Sequence, residues 1–374
     1  MKIDFRLKLN YLMKSCRQTA RLAAVVILGT SGVIGEAIPQ TPVPPEPSGG
    51  EIAAAGGGWK ERVTENLRWS IDLSARGGYS TLSDEFESEQ DLGLDLHKVF
   101  SGATRDWATV VFQPYLVRID NAERFPAFLE GPTDWEFTLR NAYVEFKLLP
   151  SSQLNFRAGH VEVPFGLETA IDTQGTLRQL ITGQNLGVKA DWGAGFNGTF
   201  ESFRYDVILS RGSGMDYRAS GDPFALIARL SSSRDSESDL GAPGYGVSVF
   251  YGEVLGRSGI TERSRVAVDA LWQFGPFGTL FELSTGRDEH VDVVNGLAEL
   301  NWQSPSEVFM VYTQSKNLNR QMPSGWDDAW VVAAGLRFAP DAHWALSAQF
   351  ERDVRQFGVG KRRGFFTLQA RYRF

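Results

Sequence analysis

Gly193-Ala194-Gly195-Phe196-Asn197-Gly198 has the spacing G-x-G-x-x-G, which in a dinucleotide site lets the backbone approach a pyrophosphate at a helix N-terminus. That chemistry needs a helix after the glycines, within a βαβ unit. The surrounding residues keep a period of two instead, so the glycines read as part of a strand. The four histidines, His97, His160, His290 and His343, are far apart and none is paired at i, i+4, so no zinc site is expected. No G-x-S-x-G elbow is present. A Ser–His pair assembled from separate strands stays open as an alternative, but nothing marks its geometry. The expectation is a chain that is not an enzyme and that holds no metal or cofactor.

What the sequence offers in place of a reactive cluster is charge at every second position. Wherever the alternation is clean, these charges belong to one face: Arg68, Asp72 and Arg76; Arg157; Lys189 and Asp191; Arg229; Arg265 and Asp269; Glu282; Glu299; Arg337; Glu351; Arg371 and Arg373. Basic residues slightly outnumber acidic ones in this set. Opposed rows of such charges in a water-filled channel would set a field across it and sort ions by sign. The alternative is that they pair with one another and only keep the face wet.

The elements that must position them are strands. Leu67, Trp69, Ile71 and Leu73 alternate with Arg68, Ser70, Asp72 and Ser74, giving one apolar and one polar face. The pattern recurs at residues 91–99, 108–120, 135–148, 154–163, 185–200, 204–211, 222–231, 245–255, 263–275, 278–287, 293–304, 308–315, 328–339, 344–354 and 364–374. That predicts sixteen strands. Short links, as at 150–153, 275–278, 305–307 and 340–343, take turns with longer ones at 121–134, 164–184 and 316–327, the rhythm of periplasmic turns and outside loops.

A soluble sandwich alternates too, but its outer face favours Lys, Glu and Thr. Here Trp69, Trp192, Trp272, Trp302, Trp330, Trp344, Tyr372 and Phe374 stand at strand ends on the apolar face, as membrane girdles do. After the amino-terminal segment no apolar run approaches the roughly 18 residues of a membrane helix. The predicted fold class is all-β, a transmembrane antiparallel barrel of about sixteen strands spanning 67–374, in contact with outer-membrane lipid.

The first 37 residues read as a secretory signal peptide, with Lys2, Arg6, Lys8, Lys14, Arg17 and Arg21 before the apolar run Leu22–Leu28 and a small-residue exit at Gly35-Glu36-Ala37. Met13 offers a second start. Cys16, the chain's one cysteine, falls in this segment without the context of a lipoprotein site, so the mature chain has no thiol and no disulfide. The formal charge is −7; setting aside six basic and two acidic residues leaves 32 against 43, or −11, which argues against nucleic acid. Residues 38–66, with Pro39, Pro42, Pro44, Pro45 and Pro47 followed by glycines, read as a periplasmic tether.

In the last strand Phe366, Leu368, Ala370, Tyr372 and Phe374 share a face, and the chain stops on phenylalanine. This ending resembles the signal by which outer-membrane barrels reach their assembly machinery. Two further segments, Arg140-Asn141-Ala142-Tyr143 and Gly159-His160-Val161-Glu162-Val163-Pro164-Phe165-Gly166-Leu167-Glu168, resemble the phosphate-selective porin O and P family. His160 stands where that family usually has glutamine. Resemblance to porins implies that the third outside loop, Phe165–Gln184, folds inward to narrow the pore, and that the barrel forms a homotrimer. Among loop charges, Arg178 is accompanied by Glu168 and Asp172 and by no lysine, so the loop does not support phosphate specificity. The functional expectation is a pore for passive diffusion of small hydrophilic solutes or ions, lined by Arg157, Glu168, Asp172, Arg178, Lys189, Asp191, Arg229, Arg265 and Arg337. The alternative is a barrel that sheathes or anchors a periplasmic or electron-transfer partner.

Overall fold

In the computed structural model the described residues are 65–120, 134–171, 173, 175–217, 221–233, 243–256, 259–358 and 362–374. The segment read as a signal peptide lies outside them, as does the tether up to residue 64. The alternating stretches form β1 (Leu67–Ser80), β2 (Glu85–Ser101), β3 (Asp106–Asp120), β4 (Glu136–Lys147), β5 (Asn155–Glu162), β6 (Ala190–Thr199), β7 (Phe203–Ser210) and β8 (Ala225–Ser232). They continue as β9 (Gly244–Gly256), β10 (Gly259–Phe274), β11 (Phe277–Asp288), β12 (Val291–Gln303), β13 (Phe309–Met322), β14 (Gly325–Phe338), β15 (Trp344–Arg355) and β16 (Gly364–Arg373). Each pairs antiparallel with its sequence neighbours, and β1 closes onto β16 from Asp72↔Arg373 to Ser80↔Phe365. Even the last residue is tied in, with Ile71 N–H donating to the Phe374 carbonyl at 2.8 Å. A closed barrel leaves no open sheet edge, which is the condition for strands to cross a bilayer.

Side chains on this single wall sort by parity. On β9, outward Tyr245, Val247 and Val249 are exposed while inward Ser248 and Phe250 are buried. The outer surface is therefore apolar around the barrel, an arrangement that water would punish and lipid rewards. A belt of aromatic pairs rings the end that carries the carboxyl terminus: Trp69 with Phe374, Trp344 with Tyr372, Phe309 with Phe338 and Trp272 with Phe274, at centroid distances of 4.8–5.9 Å. Between strands, turns are held locally. In the β14–β15 turn, Asp341 accepts the N–H groups of His343 and Trp344 at 2.8 and 2.9 Å, and these bonds hold its carboxyl below the usual carboxylate range.

Three expectations are corrected. The strand expected from Asn185 starts at Ala190, because Thr182–Leu186 form a one-turn helix, α1, ended by Gly187 at φ 82°. The long link expected at 316–327 is ladder: β13 runs to Met322 and β14 begins at Gly325. Polar residues on both faces, such as Lys316, Asn317 and Asn319, hide the period there, yet the backbone pairing continues. Trp192, expected in a girdle, is half covered by the fourth loop, its Nε1 donating to Met215 O at 3.1 Å and its ring meeting Tyr217.

Candidate pore constriction

Residues 163–189 join β5 to β6 and are the third connection at the barrel's outer end. Pro164 cannot extend the ladder, yet Val163 N–H still donates to Lys189 O at 2.8 Å, so the loop is pinched at its base. Beyond that point its apolar side chains have a dedicated seat on the inner wall. Val163, Phe165, Leu186 and Val188 pack with Ala225, Ile227, Phe250, Val254 and Ala267 of β8–β10. Leu167, Ala170, Ile171, Leu180 and Ile181 pack with Leu271, Leu280 and Leu297 of β10–β12. At about 1.5–3 kcal/mol for each fully buried aliphatic side chain, Leu167, Ile171, Leu180 and Ile181 alone contribute about 6–12 kcal/mol against the entropy of ordering the loop. Val188 had the parity of a lipid-facing residue, but β6 begins only at Ala190, so the alternation does not reach it.

Hydrogen bonds fix the loop's register along the same wall. Gly166 N–H donates to Ser248 Oγ at 3.1 Å and Leu167 N–H to Glu282 Oε2 at 2.9 Å. Gly166 has φ +58°, and a Cβ there would fall 2.2 Å from Glu282 Oε2, so the turn requires glycine. Asn185 donates to Ser284 Oγ at 2.7 Å and accepts from Asn295 at 2.7 Å and Arg265 Nε at 2.9 Å. Further round, Gln179 N–H meets Gln314 Oε1 at 3.3 Å, Lys316 Nζ meets Gln179 Oε1 at 3.0 Å, and Ser347 Oγ donates to Gly175 O at 2.7 Å. These anchors run from β9 to β15. The loop is inside the barrel, laid against about half of its circumference.

Of the remaining wall, the stretch from β16 through β1 to β4 is ionic and partly wet. Arg371 Nε donates to Asp72 at 2.6 Å, Tyr115 OH to Asp72 at 2.9 Å, and Arg373 to Asp95 at 2.6 Å. Arg76 and Glu89, paired at 2.8 Å, keep 31% and 26% of their side-chain surface exposed, and Arg373 keeps 42%. Water reaches this wall; the loop covers the other.

No family model matches the sequence, and no curated protein matches it either. Solved structures do match. OmpF of Salmonella typhi, in complex with daunomycin, aligns with a TM-score of 0.62 at 10% identity, over 84% of this chain and 99% of OmpF. The anion-selective porin from Comamonas acidovorans gives 0.58 at 11% over 82% and 99%, and OmpT of Vibrio cholerae in its trimer form gives 0.58 at 10% over 82% and 99%. The fold is that of the outer-membrane porins. At such low identity the likeness fixes backbone architecture and leaves side-chain chemistry to this chain's own residues.

Within the porin fold the expected pore-lining residues go to three places. Arg178 and Glu168 are on the inward loop: Arg178 Nη1 pairs with Glu299 Oε1 at 3.2 Å, both nearly sealed from water, and Glu168 pairs with the exposed Lys189 at 3.3 Å. Asp172 lies outside the described residues. Arg157 faces the lumen from β5, 2.6 Å from Glu145 and 3.5 Å from Asp206, with its guanidinium 5.0 Å from the Tyr143 ring. Arg337 is half-buried by the loop tip, where a Cβ on Gly175 would lie 3.7 Å from its Nε. The others are inner-wall fasteners. Arg229 chelates Asp269 and reaches Ser248 at 3.2 Å, Arg265 joins α1 to Asp288 at 2.6 Å, and Asp191 accepts Trp192, Ser213 and Gly214 N–H groups at 2.9–3.2 Å. Most of these charges are paired.

Sequence reasoning missed the loop's seat. Its signal was present: Leu226-Ile227-Ala228 and Ala270-Leu271-Trp272 are apolar on both faces, which one lipid face does not require.

Proposed function

We propose that the protein is an outer-membrane porin, a water-filled channel for passive diffusion of small hydrophilic solutes or ions. The observation that carries this reading is the division of the lumen: one half of the wall is covered by a clamped loop, the other presents hydrated ion pairs at Arg76–Glu89 and Arg373–Asp95. Solutes would pass between them, screened by size against the loop. A barrel sheathing a partner is less favoured, since loop 163–189 already occupies part of the space a threaded partner would need. Purified protein in a planar bilayer should give steady ohmic steps; absence of conductance from folded, inserted barrel would refute the channel.

Finer readings remain part of this proposal. Membership of the phosphate-selective porin O and P family is supported by the two segments around Arg140 and Gly159, which occupy β4, β5 and the start of the loop. Delivery to the assembly machinery through Phe374 is supported by its place in the closing strand. A homotrimer is supported by the likeness to OmpT in its trimer form.

A further inference from the structure

The hydrated part of the lumen does not keep one character from end to end. On β2 the inner face carries Glu85, Glu87, Glu89 and Asp91 at every second residue, a row that covers roughly 20 Å of strand at about 3.3 Å per residue. β2 starts at the outer rim and runs toward the end that carries the carboxyl terminus, so the row belongs to the outer half of the wall. Within it Glu89 has a base across the ladder, Arg76 at 2.8 Å. Across from Asp91 stands Ser74, from Glu87 Gly78 and from Glu85 Ser80. On the other flank Asp91 meets Val117 and Glu89 meets Ile119.

The row breaks at Gly93, where a Cβ would fall 2.3 Å from the Tyr115 ring, and below that point the carboxylates are neutralised. Asp72, in register with Gly93, is held by Arg371, and Asp95 by Arg373 at 2.6 Å. In the second pair the base keeps 42% of its side chain exposed and the carboxylate 8%, so the guanidinium stands in front. Arg68, exposed at the foot of the same face, adds a further cation. The loop-covered part shifts this balance little. Arg178–Glu299, Lys316–Glu351 and Arg229–Asp269 are sealed pairs, and at the rim Arg263 and Arg265 outnumber Asp288 by one.

We propose that the pore is electrically polar along its axis: its outer half concentrates small cations along the β2 row, its periplasmic half does not, and ions cross more easily in one direction. The proposal rests on the channel reading above and adds its ion class and its sense. A carboxylate about 8 Å from the ion path in water favours a monovalent cation over an anion about fivefold at low salt, so three carboxylates with no base opposite set the sign of the outer half. Fixed charge of one sign raises the local concentration of counter-ions. When the outer side is positive, cations pass through the zone that concentrates them and meet anions held at the junction, so the pore fills with salt. With the field reversed, both ions are drawn away from the junction and the pore empties.

The test is the reversal potential of the intact barrel in a planar bilayer under a potassium chloride gradient, with dilute salt first on one side and then on the other. At about 0.01 M the screening length is about 30 Å and the half of the pore facing that solution acts at full reach; at about 1 M it is about 3 Å and the facing half is silenced. The parent's cation preference should differ about fivefold or more between the two gradients. Asp91→Asn and Asp95→Asn remove the same charge from the same face of one strand, yet they should act oppositely. The first thins the outer row and brings the two ratios together; the second uncovers Arg373 and drives them apart. Both are read as a difference on one channel, so the direction of insertion does not enter. A conducting parent with equal ratios in the two gradients, an Asp91→Asn pore that keeps the parent's difference, or an Asp95→Asn pore that moves the same way as Asp91→Asn would each overturn the proposal. Absence of conductance is a separate result, which would overturn the channel reading and this proposal with it.

Discussion

Replacing Arg178 by glutamine removes one charge from a sealed pair and should change which ions pass without unseating the loop. Breaking a buried ion pair costs about 3–5 kcal/mol when a partner is left uncompensated. Glu299 would keep Asn301 Nδ2 at 3.0 Å and Gln314 Nε2 at 2.8 Å, which soften that cost. The apolar seat of Leu167, Ile171, Leu180 and Ile181, at about 6–12 kcal/mol, exceeds it, so the loop stays in place. What changes is the field. The neutral pair becomes a single negative charge, and at about 8 Å in water it acts on a monovalent ion with about 0.5 kcal/mol, attractive for a cation and repulsive for an anion. The ratio of cation to anion permeability should rise about fivefold at low salt, where the screening length is about 30 Å, and shrink toward the parent's value at 1 M, where it is about 3 Å. Reversal potentials across a salt gradient in planar bilayers measure this directly. The double variant Arg178→Gln with Glu299→Gln restores neutrality and should restore the parent's ratio. An Arg178→Gln pore with unaltered conductance and no shift at low salt, or a double variant that shifts as far as the single one, would refute the reasoning.

Deleting Ala170 to Arg178 removes part of the inner seat and the Arg178–Glu299 tie, so single-channel conductance should increase; an unchanged step would mean that the loop does not limit flow. Gly166→Ala forces a side chain into a φ of +58° against Glu282, a strain of about 1–3 kcal/mol at the loop's first turn, expected to appear as noisier open-channel current with the barrel's heat-modifiable mobility retained. Deleting Phe374 removes a backbone partner of Ile71 and the ring 5.9 Å from Trp69, so the amount of folded barrel in the outer membrane should fall; normal levels would show that closure does not depend on that residue.

The sequence by itself determined the wall. Period two is a local property of the extended backbone, so the outward set Tyr245, Val247 and Val249 and the inward set Ser248 and Phe250 could be separated residue by residue, and sixteen such stretches implied closure without any knowledge of contacts. It failed where both faces had the same polarity, as at Lys316–Met322, because alternation is the only cue and it vanishes there. Partnership was a different matter. Arg371 with Asp72, Arg178 with Glu299 and Lys316 with Glu351 join positions far apart along the chain, and parity shows that each side chain faces inward but not which neighbour it meets. That depends on the register accumulated around the ring and on where loop 163–189 comes to rest. The loop's apolar residues could be satisfied only by a wall apolar on its inner side too, and that match of two distant surfaces exists only once the barrel has closed.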